Sequence, residues 1–477
     1  MMKNVLWEII ETYFRGQHLG RLVRHQLESY NEFVDIQMQK TVNMFNPVTI
    51  HHNEEDKYKL KIIVNFGKLY VFRPLIHENN GSSTLMFPHV ARLRNFTYSS
   101  NIAVDMNIKI IHYYGQNCKN FEIFHKDLKK IHIGKLPIML RSKICSLSQY
   151  RHFDSNITGE SRNDAGGYFI INGSEKTVLA QERAAENKIY CFKLRKNNKW
   201  KWKAEIKSIP DNKCISPKQI NMFIASKNNG FGHGIYMQIP RIKQPIPLFI
   251  VFRAFDIISD KEICKKIILN IEDPKMKKMI YGVQASIVDA NRYITKEDAI
   301  VYLVNLAMYT PMNMTKEEGE RKKREFTLNV IYNDIFPHCD TRVQKVYFMG
   351  YMANKLLRCS FGWNKVDDRD SYFNKRIDLT GTLLNNLFRN YLNKVVKDMQ
   401  KQMLREIKTG SWRSRDNFMD IVNHTNIYKI IKSSTIENGL KRALATGDFG
   451  IRNFNTNKVG VAQVLNRLTY IGTLSHL

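Results

Sequence analysis

The chain has 477 residues, of which 43% are apolar, and this length is enough for about three domains with buried cores. Such a composition excludes a globally disordered chain. Lysine and arginine number 74 against 44 acidic residues, which gives a formal charge of +30. This surplus predicts a polyanionic partner, most simply nucleic acid, because binding to phosphates releases counterions. The alternative is that the charge only serves solubility in a protein from an AT-rich genome.

Cysteine usage and hydropathy indicate a soluble intracellular protein. The seven cysteines show no C-x-x-C pair and no disulfide-like spacing, which is typical of reduced thiols and predicts no structural zinc site. The N-terminus lacks the design of a signal peptide. The longest apolar run, residues 246–258, is interrupted by Arg253 and is too short to cross a bilayer. We therefore expect no membrane partner.

Helices and strands are both predicted in the first half of the chain. Residues 15–40 predict a helix with Leu22 on its apolar side. Strict alternation of apolar and polar residues predicts strands over 57–75 and 101–125. Two further alternating segments flank the Asn-Asn pair at 197–198, which predicts a β-hairpin.

Longer apolar patterns follow in the second half. Residues 246–254 predict a buried strand that leads into a capped helix, and residues 296–310 predict a helix with Thr295 as its N-cap. The longest helix is predicted over 383–409, where one face stays apolar and Gly410 follows the last turn. The mixture of elements predicts an α+β architecture with mixed sheets.

Residues 164–176 combine a Gly-Gly turn, an apolar strand and an Asn-Gly turn. This pattern predicts a hairpin edge, and as chemistry it is nonspecific, because a hairpin stabilised by its turns explains it fully. We expect the hairpin edge to present four polar side chains to solvent: Glu175, Lys176, Gln181 and Arg183.

Residues 367–379 carry three carboxylates within four positions, Asp367, Asp368 and Asp370. Hard oxygen ligands of this kind suit Mg²⁺, so a metal-dependent nuclease is one hypothesis. The basic residues interleaved with them favour the other interpretation, an ion network in front of the long helix. Cleavage that requires Mg²⁺ and is lost in Asp368→Asn would support the nuclease.

Two other segments could bind nucleic acid, but each also has a purely structural interpretation. Phe231-Gly232-His233-Gly234 could cradle a phosphate, but a glycine cluster without a following helix start is weak evidence. The Trp-Lys alternation at 200–203 could stack single-stranded bases. A strand that packs its Trp face and solvates its Lys face explains the same alternation.

The last forty residues hold the most informative pattern. A small-residue turn at 439–447 precedes a basic, amide-rich loop, and then a predicted helical stretch carries Gln463, Asn466 and Arg467. Amide and guanidinium side chains on such a surface suit contacts to a nucleic-acid backbone.

Several of these strings resemble the second-largest subunit of multisubunit DNA-directed RNA polymerases, in the order that the family has them. The Gly-Tyr-Phe-Ile-Ile-Asn-Gly-Ser-Glu-Lys string is nearly identical to the family's. This sequence departs from the family at Thr380 and Thr382, where Ala and Pro are usual. The composition, which is rich in Lys, Asn and Ile, and the segment 22–31 look most like versions of this subunit from large DNA viruses. The matching segments are residues 88–98, 133–142, 167–176, 246–263, 367–379 and 439–477.

The resemblance implies a domain organisation. Residues 1–183 would begin a mixed-sheet protrusion domain, into which an α+β lobe domain at 184–340 is inserted. Residues 341–440 would complete the protrusion, and 441–477 would open a helical fork region. In the family these parts line one side of the DNA cleft, and the fork lies against the RNA–DNA hybrid.

The resemblance also implies which residues contact nucleic acid and which partners the chain has. Catalysis in the family uses Mg²⁺ held by the largest subunit, so this chain is expected to contribute no catalytic residue and no metal ligand. The expected partners are the largest subunit, the C-terminal remainder of the same subunit, other polymerase subunits, template DNA and the hybrid. The implied nucleic-acid-binding residues are Lys441, Arg442, Arg452, Lys458, Gln463, Asn466 and Arg467.

The match breaks off in mid-element at Leu477, which predicts an interrupted or split gene, or a partial reading frame, and an exposed apolar edge there. The implied function is that of a polymerase component with an intracellular location. This location would be the virion or the host cytoplasm or nucleus if the protein is viral, and otherwise the nucleus. The alternative is a stand-alone nucleic-acid-binding fragment that no longer assembles into a polymerase.

Overall fold

The chain folds into two compact units. Unit 1 comprises Met1–Arg183 and Ile377–Leu477, and unit 2 comprises Ala184–Arg376. The second division therefore lies further along the chain than the limit at residue 340 that the resemblance implies. The structure, a computed structural model, describes residues 2–15, 19–54, 58–114, 120–149, 158–195, 197–210, 217–309, 316–410, 418–450 and 458–477.

Unit 1 begins with helices rather than with one continuous helix. The predicted helix over 15–40 is confirmed as helical from Arg24, but Leu22 is exposed, because the chain turns there before the helix resumes. The elements are α1 (Met2–Arg15), a 3-10 turn (Leu19–Arg21), α2 (Arg24–Glu32), a π-helical turn (Phe33–Gln37) and α3 (Met38–Asn43).

A four-stranded antiparallel sheet forms the centre of unit 1. Its strands alternate between buried apolar and more exposed positions, as the sequence predicts, so one face is mainly apolar. The elements are β1 (Val48–Glu54), β2 (Tyr58–Val71), β3 (Leu75–His77), β4 (Ser83–Leu85), α4 (Pro88–Leu93), β5 (Ser99–Tyr114), β6 (Asn120–Pro137) and α5 (Ser146–Gln149). The sheet order is β1-β2-β5-β6.

The predicted hairpin at 164–176 is confirmed. Strands β7 (Phe169–Ile171) and β8 (Ser174–Val178) pair antiparallel around Asn172 and Gly173. Both turn residues have positive φ, which is why an Asn-Gly pair serves here. The chain then passes through β9 (Gln181–Ala184) into unit 2.

Unit 2 is built on an antiparallel sheet in the order β10-β11-β12-β13-β14. The hairpin predicted around 197–198 is confirmed, because β10 pairs with β11. The strands are β10 (Tyr190–Lys193), β11 (Trp200–Ser208), β12 (Lys218–Asn228), β13 (His233–Gln238) and β14 (Ile246–Pro247).

Helices complete the core of unit 2. The Thr295 N-cap is confirmed, and Asp298 closes a capping box with it. The helices are α6 (Leu248–Ala254), α7 (Asp260–Ile268), α8 (Pro274–Lys277), α9 (Met279–Ala290), α10 (Lys296–Leu306), α11 (Lys316–Asn329) with a π-helical turn (Val330–Asp334), and α12 (Arg342–Ser360).

The strand predicted over 246–254 is wrong. Only two residues are extended, and the rest form α6, all of whose residues are buried. Short apolar runs do not distinguish a buried strand from a buried helix. Arg253 is tolerated inside because its guanidinium donates to the carbonyls of Ala290 and Tyr293 and to Asp260.

The chain returns to unit 1 through a 3-10 turn (Tyr372–Asn374) and β15 (Lys375–Asp378), and then forms α13 (Thr380–Thr409). The long-helix prediction is confirmed. Gly410 is the C-cap, but its φ of −71° is ordinary, so this end does not require glycine. The last elements are a 3-10 turn (Phe418–Ile421), α14 (Ile427–Ile430), α15 (Ser434–Thr446), β16 (Ala462–Val464) and α16 (Tyr470–His476).

The apolar face of α13 packs into the same core as the sheet of unit 1. Fully burying a leucine such as Leu384 or Leu392 contributes about 2 kcal/mol, so this stripe fixes the helix against the sheet. The α+β class is confirmed. The expected mixed sheets are wrong, because every strand pairing whose register the structure describes is antiparallel. None of the described helices is long and apolar enough to span a membrane.

Candidate nucleic-acid interface

The predicted helical stretch through Gln463, Asn466 and Arg467 is wrong. Residues 462–464 form β16, which adds a third strand to the β7–β8 hairpin through pairing with β8. Asn466 and Arg467 lie in the turn between β16 and α16. Tertiary pairing decides the conformation here, because a segment this short has no strong helical preference of its own.

Gly447 allows β16 to approach the end of α15. It has a left-handed φ of 74°, and a Cβ there would lie 2.5 Å from the carbonyl oxygen of Ala462. Val461 N–H donates to the Gly447 carbonyl at 3.1 Å. Only glycine combines this conformation with this close approach, so the small-residue turn serves packing.

The two basic residues of α15 differ in their surroundings. Arg442 is exposed, whereas Lys441 is half-buried and lines a cavity of about 390 Å³. Lys135 and Glu437, whose charged atoms are 3.7 Å apart, line the same cavity. Lys441 therefore faces a cavity whose charge is partly neutralised by Glu437, whereas Arg442 faces the solvent.

The amide side chains and the loop lysine lie at the surface of unit 1. Gln463 and Asn466 are exposed, and Lys458 is half-buried. His476 Nε2 lies 3.1 Å from Gln463 Oε1, and Asn466 Oδ1 accepts from Leu468 N–H at 2.9 Å. These bonds orient both amides and leave them accessible. Arg452 lies outside the described residues.

Arg467 is held by carboxylates of unit 1. Its guanidinium forms a two-bond contact with Glu175, with Nε–Oε2 and Nη2–Oε1 distances of 2.6 and 3.0 Å, and reaches Asp164 Oδ2 at 3.4 Å. The Tyr168 ring centroid lies 5.0 Å from Cζ. A bidentate pair of this geometry fixes the side chain as well as its charge.

Glu175 is not presented to solvent, contrary to expectation. It also accepts from Arg92 Nε at 2.8 Å, and Arg92 bonds Glu160 and donates to the Tyr168 hydroxyl at 2.7 Å. That hydroxyl donates to Asp164 Oδ2 at 2.5 Å. We call these six residues the carboxylate network: Arg92, Glu160, Asp164, Tyr168, Glu175 and Arg467.

The carboxylate network carries two guanidiniums and three carboxylates, so its formal charge is −1 when all are ionised. Burial alone would raise the pKa of Glu175, but Arg467 and Arg92 outweigh it and lower the pKa below its usual value. Burial raises the pKa of Glu160 despite the bond from Arg92. Sequence reasoning missed this network, because its members lie up to 375 positions apart.

The acidic segment at 367–379 forms an ion network, with partners other than those expected. Asp367 accepts from Lys355 Nζ at 3.0 Å and from Cys191 N–H at 2.8 Å. Arg369 pairs with Glu205 at 2.9 Å instead of with a neighbouring aspartate. In unit 1, Asp378 pairs with Arg183, which is therefore not simply presented to solvent. These contacts support structural roles.

The Trp-Lys alternation supports the packing interpretation. Trp202 is buried in the core of unit 2, and Trp200 stacks on Phe223 with ring centroids 5.0 Å apart. Phe231 to Gly234 lie in and after the turn that joins β12 to β13, where Asn228 and Asn229 side chains bond the turn's N–H groups. Both segments serve the sheet of unit 2.

Apolar side chains are exposed beside the candidate interface. We call Val464, Leu468, Tyr470 and Ile471 the apolar ridge, and Leu468 is 91% exposed. Leu477 itself is buried, and its carbonyl accepts from Gln26 Nε2 at 2.8 Å. The expectation of an exposed apolar edge at Leu477 is therefore wrong.

Comparison with known proteins identifies the family. The model of a family described as RNA polymerase beta subunit matches residues 21–438. The match covers most of the chain, which therefore belongs to the RNA polymerase beta subunit family. The elements described above, from α2 into α15, lie within the matched range.

Relatives come from eukaryotes and archaea. DNA-directed RNA polymerase II subunit 2 of Arabidopsis thaliana is 35% identical over 99% of this chain and 39% of its own length. The RPB2 subunit of Schizosaccharomyces pombe RNA polymerase II is 34% identical over 99% of this chain and 38% of its own. DNA-directed RNA polymerase subunit Rpo2N of Methanothermobacter thermautotrophicus is 28% identical over 100% of this chain and 86% of its own length. The chain thus spans about two-fifths of the eukaryotic relatives and most of the archaeal one.

Proposed function

We propose that this chain is a component of a DNA-directed RNA polymerase and corresponds to the N-terminal part of the second-largest subunit. The observation that carries the proposal is the family match over residues 21–438, together with near-complete coverage by relatives named as polymerase subunits. The reaction of such an enzyme is nucleotidyl transfer, and we propose that the largest subunit holds the catalytic Mg²⁺. This chain would guide nucleic acid rather than make bonds.

The proposed contact to the RNA–DNA hybrid is the surface around β16. Arg442, Gln463 and Asn466 are exposed there, and the amides can bond phosphate or sugar oxygens without reading sequence. Lys441, Lys458 and Arg452 would add positive charge. Arg467 has a positioning role in this proposal, because its charge is matched internally by Glu175 and Asp164.

The apolar ridge is the proposed contact for other polymerase polypeptides, above all the C-terminal remainder of the subunit. The chain spans only 38–39% of its eukaryotic relatives, so most of their length has no counterpart in it. The four apolar side chains of the ridge are exposed within eight residues, and exposed apolar patches mark contact surfaces. The same proposal includes the largest subunit, template DNA and an intracellular location.

Finer assignments belong to the same proposal. Unit 1 would correspond to the protrusion and the start of the fork, and unit 2 to the lobe, with one side of the DNA cleft formed by both. The names of the relatives support the polymerase assignment, and the two compact units are compatible with an inserted domain. The resemblance to versions from large DNA viruses stays a prediction.

Purification of the tagged chain from its native source tests the proposal. We expect it to bring down a largest polymerase subunit and other polymerase polypeptides, with template-dependent RNA synthesis. Recovery of the chain without any polymerase polypeptide would contradict the proposal, and tight DNA binding by that lone chain would favour the stand-alone alternative.

A matched pair of variants tests the apolar ridge. Leu468→Asp should reduce recovery of the partner polypeptides, because it places a charge where an apolar contact is proposed. Leu93→Asp changes another leucine of unit 1 that is well exposed, and it should leave recovery unchanged. If both variants recover the partner polypeptides equally well, the apolar ridge is not a contact surface for them.

A further inference from the structure

A second basic surface lies in unit 1, on residues that the proposed function does not use. Helix α13 and the segment from α14 to Lys432 enclose a cleft of about 250 Å³. We call it the basic cleft, and its lining residues are Asp398, Lys401, Gln402, Arg405, Lys429, Ile430 and Lys432.

The basic cleft has four cations and one carboxylate. Lys401, Arg405, Lys429 and Lys432 are all exposed, and none of them forms an ion pair within the part of the chain that the structure describes. Cations gathered around one cleft repel each other, so the arrangement is unfavourable until an anion occupies it. This contrasts with Arg467, whose charge is matched by carboxylates.

Helical geometry aligns the cleft with a longer basic stripe. Lys401 and Arg405 are one turn apart on α13, which places their Cβ atoms about 6 Å from each other. Lys394, Lys397 and Lys408 are exposed on the same side, opposite the buried face. The stripe is about 21 Å long, which matches about six nucleotides of one strand.

We propose that the basic cleft and its stripe bind the backbone phosphates of a nucleic acid. Ammonium and guanidinium groups donate strong hydrogen bonds to phosphate oxygens, and Gln402 can add a neutral donor. An acidic peptide fits less well, because Ile430, the only apolar lining residue within the described ranges, is buried and offers no apolar contact. The proposal concerns binding by this chain and does not depend on its assembly into a polymerase.

The test measures binding of the full chain to a labelled oligonucleotide duplex of DNA over a range of salt concentrations. The variant Lys401→Gln/Lys429→Gln/Lys432→Gln removes three phosphate contacts. We expect the slope of log affinity against log salt to fall in magnitude by about 2.7, and the affinity in low salt to fall at least about tenfold. The variant Lys401→Arg/Lys429→Arg/Lys432→Arg should retain the wild-type slope.

The control changes net charge equally at exposed lysines of unit 2, Lys227→Gln/Lys261→Gln/Lys277→Gln. The proposal is overturned if the cleft variant, folded by circular dichroism, has the slope of the wild type or of this control. It is also overturned if poly-glutamate displaces the oligonucleotide as well as an equal charge of unlabelled DNA does. This test measures binding by the chain alone. The cleft proposal can therefore fail while co-purification with polymerase polypeptides succeeds, and co-purification can fail while the cleft proposal is supported.

Discussion

The carboxylate network and the basic cleft use the same kinds of cation in opposite ways. In the network, two guanidiniums meet three carboxylates and the side chains are largely buried. In the cleft, four exposed cations surround a single carboxylate, Asp398. The first arrangement stabilises the fold around β16, whereas the second is suited to an anion from outside.

A basic residue in a recognisable sequence string is therefore not necessarily a phosphate ligand. Arg467 belongs to the string that most resembles a hybrid-binding motif, yet its nearest charges are Glu175 and Asp164. Lys429 and Lys432 belong to no such string and have no ion-pair partner among the described residues. The partners of a cation, which the sequence does not show, decide between the two roles.

The largest expected effect is that of Arg92→Ala on stability. The side chain is about four-fifths buried between Glu160 and Glu175, and its removal leaves buried carboxylates unpaired. We expect the free energy of unfolding to fall by about 3 kcal/mol, measured by urea denaturation. Arg92→Lys keeps the charge and should lose less. A change no larger than that of an ordinary surface substitution would show that the network does not stabilise the fold.

Arg467→Ala should have a smaller effect than Arg92→Ala. The Arg467 side chain is 42% exposed, so solvent screens its ion pairs, and we expect a loss of about 1 kcal/mol. Folding should therefore stay intact, while RNA elongation by the assembled enzyme is impaired because the loop after β16 is no longer held. Normal elongation by this variant would count against the positioning role.

The pH dependence of the same variant separates electrostatics from packing. Arg467 helps to hold the pKa of Glu175 below its usual value, so this stabilisation is present above about pH 4.3 and is lost as pH falls through the folded-state pKa. The stability difference between wild type and Arg467→Ala should therefore be largest near neutral pH and should narrow in acid. Arg467→Lys should retain most of the wild-type profile. A difference that is constant with pH would point to lost packing.

Removing charge from the basic cleft should hardly change stability. Lys401→Gln/Lys429→Gln/Lys432→Gln takes away mutual repulsion and no ion pair of the described residues, so the free energy of unfolding should change by less than about 0.5 kcal/mol. Urea denaturation at low salt is the measurement. A large destabilisation would show that these lysines are structural, as Arg92 is.

The smallest expected effect is a gain in nucleic-acid affinity, whereas removing the lysines of the cleft should lower that affinity. Asp398→Asn removes the carboxylate that the described residues place in the cleft, so the affinity for an oligonucleotide should rise by roughly twofold, as for loss of one surface charge contact. Glu28→Gln, an exposed carboxylate on α2, is the control and should leave affinity nearly unchanged. Weaker binding by Asp398→Asn would indicate that this side chain orients the cations.

The sequence predicted those elements whose signal is local. The Thr295 cap and the apolar face of α13 both depend on residues within a few turns of each other, and both are confirmed. The Asn172-Gly173 turn is equally local, because its positive φ angles restrict the residue types.

Two of the misses share a physical cause, which is that distant parts of the chain decide the outcome. Residues 462–464 are a strand because β8, nearly 300 positions earlier, offers an edge. Glu175 is paired rather than solvated because Arg92 and Arg467 converge on it. The strand predicted at α6 has a different cause, because full burial on all sides hides the helical period.

The central claim is that the surface around β16 lies against the RNA–DNA hybrid of a polymerase. The most direct test places a photo-crosslinking residue at Gln463 in the assembled, transcribing enzyme, with the exposed Lys129 position of β6 as the control. The account predicts that position 463 labels the RNA or the template strand and that position 129 does not. Labelling of polypeptides alone from position 463, in a complex that synthesises RNA, would contradict it.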